Sequence, residues 1–181
     1  MTFQPLTLWD LLIPKRRLKS KRRPSPTAVR KKPTARRETP MQLRYEEITR
    51  QMLAEHGVRV RKWRSSMSGV AWQVMYKDGT VAKLIEAPRP RGPMSAAVFL
   101  HEIGHHAIGF GTYKPRCLEE FYAWKFSIEK MEELGLNVTD RVHKRMHESL
   151  EYALAKALRR GLKRVPSELM PYLPTGVLVE V

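Results

Sequence analysis

Residues 94–108 read Met-Ser-Ala-Ala-Val-Phe-Leu-His-Glu-Ile-Gly-His-His-Ala-Ile. A helix drawn through them is apolar on nearly every side. Such a helix is stable only when it is covered all round. This segment therefore sits at the centre of whatever the chain folds into. It also carries His101, Glu102 and His105 into that interior. Buried ionisable groups cost free energy unless they find partners, so the rest of the fold must supply them.

The spacing says what the partner is. Residues four apart in a helix lie one turn apart on nearly the same face. His101 and His105 can thus direct both imidazoles at one cation. Glu102 projects beside them, where a carboxylate takes a proton from a metal-activated water. This is the His-Glu-x-x-His arrangement of zinc peptidases. Zinc in a catalytic site takes three protein ligands and keeps one position for water. A third ligand is therefore expected downstream, and residues 117–124 offer Glu119 and Glu120. Gly104 and Ala123 are a pair of small residues where two helices can cross. Glu120 lies three residues before Ala123 and shares its face, so Glu120 is preferred and Glu119 is the alternative.

Other candidates receive plainer readings. His106 points roughly 100° away from His105 and is read as a packing residue. His143 and His147 repeat the four-residue spacing beside a helical core stripe and are read as a surface pair. Asp140 is read as a helix cap. Tyr113, His143 and His147 are all candidates for a donor to a developing oxyanion. Trp63, Trp72 and Trp124 are assigned to core or sheet faces, and Cys117 to a structural thiol.

Order is expected to begin at Thr39. Thr39-Pro40-Met41-Gln42 reads as a capping box with proline in the first turn. Met41, Tyr45, Ile48, Met52 and Leu53 then form an apolar stripe, and Gly57 ends the helix. Residues 58–63 and 71–76 read as strands. Asp78-Gly79 makes a hairpin turn into a return strand at 81–85. Helices are expected at 94–108, 118–134 and 140–160, the last two closed by Gly135 and Gly161. The fold class is α+β: a short, mainly antiparallel sheet packed on the motif helix, with further helices behind. A peptide substrate is expected to add as a strand along residues 81–86.

The first forty residues differ in kind. The chain has 181 residues and a formal net charge of +16, of which residues 1–40 carry +10. Residues 14–40 hold five prolines among clusters such as Lys15-Arg16-Arg17. Self-repelling segments with little apolar surface do not pack. Three parts are therefore expected: a disordered basic arm at 1–38, a domain at 39–161, and a short helix with a loose end at 162–181. Leu6 to Ile13, ahead of the basic run, is expected to form a short amphipathic turn with Trp9 exposed, a partner-docking peptide or weak membrane contact being the alternative. Lysine and arginine clusters bind phosphates without sequence preference. Residues 15–37 are thus a candidate nucleic-acid contact, and a binding protein with a structural or inactive zinc fold is the alternative to an enzyme. The longest apolar run is far too short to span a membrane. One cysteine permits no internal disulfide, which with the missing signal pattern suggests a cytoplasmic setting.

The string His101-Glu102-Ile103-Gly104-His105, followed by Glu119-Glu120 and then Ala123 and Phe126, resembles the gluzincin metallopeptidases. It is most similar to the compact ImmA/IrrE-type group, over roughly residues 45–135. The resemblance implies a zincin-like domain. It implies zinc held by His101, His105 and Glu120, with Glu102 as general base in peptide-bond hydrolysis. The longer metzincin motif is broken at Ile108 and Gly111.

Overall fold

The computed structural model describes residues 39–173. The expectations for the arm at 1–38, for Leu6 to Ile13 and Trp9, for nucleic acid at 15–37, and for residues 174–181 all lie outside that range.

The first helix, α1 (Pro40–His56), starts as its sequence requires. Thr39 Oγ1 accepts from Gln42 N at 3.2 Å, and Pro40 occupies the first turn. Only half of the capping box closes, because the Gln42 side chain turns to Glu46 instead. Gly57 ends the helix at φ 62°, a left-handed conformation that glycine adopts without steric cost. Tyr45, Ile48 and Met52 are buried, whereas Met41 is exposed.

Three strands follow: β1 (Val58–Arg64), β2 (Val70–Met75) and β3 (Val81–Pro88). The sheet is mixed, in the order β1-β3-β2. The hairpin forms as expected: β2 runs antiparallel to β3, with Val70 opposite Glu86 and Met75 opposite Val81. The expectation of a mainly antiparallel sheet fails at β1, which runs parallel to β3 from Val58 opposite Lys83 to Arg64 opposite Pro88. The reason is burial. β3 is the most buried of the three, with Ala82, Ile85 and Ala87 covered, and it takes the doubly paired centre. β1 carries Arg59, Arg61, Lys62 and Arg64 and belongs at an edge. Residues 65–69 carry the chain past the end of β3 to the opposite edge. A second expectation falls with the first. β3 is paired on both sides, so residues 81–86 cannot receive an added strand.

The motif helix α2 (Pro93–Ile108) fills the centre, and residues 95–106 are all buried. Phe99, Leu100 and Ile103 share one hydrophobic core with Met52, Ile85, Met131, Leu150 and Leu154. Full burial of each large side chain contributes about 1.5–3 kcal/mol. Helix α3 (Arg116–Glu133) lies directly against α2. A Cβ at Gly104 would lie 2.8 Å from the Ala123 carbonyl oxygen, so the two backbones touch where the small residues were expected to meet. Ser127 Oγ also donates to the Ala97 carbonyl at 2.8 Å. Helix α4 (Asp140–Arg159) buries Val142, Leu150 and Leu154. Thr139, not Asp140, holds its cap position; Asp140 begins the helix, where a negative charge suits the dipole. A 3-10 helix (Ser167–Tyr172) closes the described chain. Val165 and Leu169 are buried, so the chain as far as Leu173 packs with the domain expected to end at 161. No helix among the described residues is long and apolar enough to cross a membrane.

Candidate metal centre

Helix α2 places His101 and His105 one turn apart, with ring centroids 4.8 Å apart. The second turn of α3 brings Glu120 to them. His101 Nε2 lies 3.4 Å and His105 Nε2 3.5 Å from Glu120 Oε2. One ligand atom from each residue lies within 4.8 Å of the others. The two contacts are long for charge-assisted hydrogen bonds, which run about 2.7–2.9 Å. They match the edge of a tetrahedron around one ion with ligand distances of about 2.0–2.1 Å, whose edges measure about 3.3–3.4 Å. The donor set of two imidazoles and a carboxylate suits zinc.

Glu119 points elsewhere. It is 2 % exposed, and its Oε2 accepts from the Gly111 backbone N–H at 2.9 Å. Its Oε1 lies 3.3 Å from His105 Nδ1, the ring nitrogen that faces away from Glu120. The consecutive glutamates thus bracket one imidazole. Glu120 faces the nitrogen that would bind metal, and Glu119 faces the one that would carry the proton. A carboxylate behind a ligating histidine fixes its ring and its tautomer. Phe110 stacks parallel to the same ring, and Trp124 packs on His101. Arg116 closes the outer side, with Nε 3.1 Å from Glu120 Oε1 and Nη1 3.5 Å from Glu119 Oε1.

Glu102 is 5 % exposed, and burial pushes its carboxyl up to about 7, against the attraction of His105. A group that titrates near neutrality can both accept and return a proton. The loop at 65–69 covers it. A Cβ at Gly69 would overlap the Glu102 carboxylate, so only glycine allows the backbone so close. Arg64 Nη1 holds this loop through Ser68 Oγ, and Arg145 Nη2 through the Met67 carbonyl, both at 3.3 Å.

Without a bound ion, the cluster polarises itself. Burial raises Glu120, but His101 and His105 outweigh it and hold the carboxyl well below the usual range. Burial opposes protonation of His105, yet Glu120 and Glu102 hold it above its ordinary value. Burial lowers His101. His101 Nδ1, His105 Nδ1 and Glu119 Oε1 are buried and meet no hydrogen-bond partner of good geometry among the described residues. Of the three buried or half-buried carboxylates, Glu119 and Glu120 share Arg116, and Glu102 has no ion-pair partner among the described residues. A divalent cation would complete the set.

The remaining candidates separate cleanly. His106 Nε2 lies 3.1 Å from the Leu84 carbonyl and ties α2 to β3, the packing role expected of it. Tyr113 stacks on Tyr122, His143 is exposed, and His147 packs near Tyr172. None of the three contacts the His101–His105–Glu120 cluster. Sequence reasoning missed Arg116 and Gly69. Arg116 stands four residues before Glu120 and could have been read from that spacing. Gly69 carried no local signal, because its partner lies far along the chain.

Comparison of the chain with protein-family models, curated proteins and solved structures finds no match.

Proposed function

We propose that the protein is a zinc metallopeptidase that hydrolyses peptide bonds, with Glu102 as general base. One observation carries this reading: two imidazole nitrogens and one carboxylate oxygen converge beside a buried carboxyl group. The likeness of the motif to gluzincins supports it. His101, His105 and Glu120 would hold the zinc, which would lower the pKa of a bound water from about 15.7 toward about 7. Glu102 accepts the proton of the attacking water and returns it to the leaving amine. Glu119, 3.3 Å behind His105 Nδ1, would orient that ring once a metal is bound, and the 65–69 loop shields Glu102 from bulk water.

An extended substrate fits β2 in place of β3. The outer edge of β2 is unpaired among the described residues, and Val70 and Met75 on it are exposed. Its first residue follows Gly69, against Glu102. An unpaired strand edge is where an extended peptide adds by main-chain hydrogen bonds.

The decisive variant is Glu102→Gln. It should bind one zinc per chain and lose about 10²- to 10⁴-fold in turnover of an unstructured protein substrate. Cleavage at the parent rate would remove Glu102 from the mechanism.

A further inference from the structure

A cavity of about 660 Å³ opens between the first turn of α3 and the last two turns of α4. Glu120 and Arg116 form part of its wall, so it adjoins the candidate metal centre. One face of α4 and its C-cap form the other wall, through Tyr152, Lys156 and Arg160 at four-residue intervals. The size lies within the range of ligand pockets.

The charges there are unbalanced. Arg116 is committed to Glu119 and Glu120. Lys156 and Arg160 are exposed and have no carboxylate partner among the described residues, where α4 holds only the Lys144–Glu148 pair. Two cations without a carboxylate partner among the described residues therefore line an otherwise largely apolar cavity whose wall also includes Glu120, one of the three candidate ligands. Apolar walls take the stem of a side chain, and the paired cations take its charge.

We propose that this cavity is a specificity subsite for a carboxylate of the peptide substrate, held by Lys156 and Arg160 beside the scissile bond. The inference rests on the peptidase reading and narrows it to acidic peptides. The carboxylate comes from an Asp or Glu side chain or from a free C-terminus.

The test is fluorescence anisotropy with the full-length chain, zinc-loaded and carrying Glu102→Gln so that nothing turns over. The probes are labelled octapeptides: acidic with an amidated end, uncharged with a free end, and uncharged with an amidated end. One of the first two should bind about fivefold tighter than the third, since each exposed ion pair contributes modestly. Whichever does so identifies the source of the carboxylate. Lys156→Gln/Arg160→Gln should lower that preference by about fivefold. Arg159→Gln/Lys163→Gln, which removes the same charge from exposed positions outside the cavity, should keep it. Binding of a probe to the basic residues 15–37 is the same in both double variants, so the subsite is read from the difference between those two variants.

A preference of equal size in Lys156→Gln/Arg160→Gln and Arg159→Gln/Lys163→Gln overturns the subsite. So does an oligonucleotide that binds with the same dependence on those two residues. Zinc-dependent cleavage by the parent with equal kcat/KM for acidic and uncharged peptides overturns the subsite and leaves the peptidase reading standing. A cavity-dependent preference in a protein that hydrolyses no peptide does the reverse.

Discussion

The chain contains two histidine pairs at identical spacing, and they meet opposite fates. His101 and His105 on α2 are 7 % and 3 % exposed and converge on Glu120. His143 and His147 on α4 are exposed and converge on nothing. Four-residue spacing makes convergence possible in both helices. The surroundings decide whether it happens. Helix α2 is packed on every side, so a polar group within it must be matched by the fold. Helix α4 buries one stripe, and its histidines flank that stripe in water. Burial, not spacing, carries the functional information.

The largest effect should come from breaking the buried pair. His101→Ala should release the metal, whereas the double variant His143→Ala/His147→Ala should retain one equivalent per chain. Elemental analysis after gel filtration reads both. Metal loss from the α4 double variant would show that the two pairs are not functionally distinct.

The same contrast explains what could be read from the residues alone. The motif helix and its crossing of α3 were legible because Gly104 and Ala123 are the small residues that let two backbones touch. That crossing also selected Glu120 over Glu119, although consecutive residues differ by roughly 100° around a helix. Strand order was not legible. Residues 65–69 can turn back to pair β1 with β2 or carry the chain past the end of β3, and local propensity does not choose between them. The choice falls to the burial of Ile85 and Ala87, a property of the assembled core. The contact of Gly69 with Glu102 depends on that strand order and was hidden with it.

A smaller effect tests how the buried pair is held. His105 has Glu119 behind it at 3.3 Å, and neither His143 nor His147 forms an ion pair among the described residues. Glu119→Gln should therefore weaken zinc binding by about 10- to 100-fold, the usual cost of losing a partner behind a metal-binding histidine. Competition with a chromophoric chelator measures it. Unchanged affinity would reduce Glu119 to a packing group that caps Gly111.

The smallest effect concerns the carboxyl buried between the two histidines in sequence. In the metal-free protein, burial raises Glu102 from 4.5 to about 7. Between those values the folded chain keeps a proton that the unfolded chain has lost. Stability therefore falls as pH rises through this window, and the penalty is complete above about pH 7. At 1.36 kcal/mol per unit the shift sets a ceiling of about 3 kcal/mol. The amide of Glu102→Gln has its own unmet hydrogen bonds, which trims the gain to roughly 1–2 kcal/mol. Thermal melts in a chelator at pH 5 and pH 8 should show Glu102→Gln gaining on the parent only at the higher pH. An equal difference at both would mean that the Glu102 carboxylate is already charged in the folded, metal-free state. Its surroundings would then resemble those of the α4 pair more closely than the interior of α2.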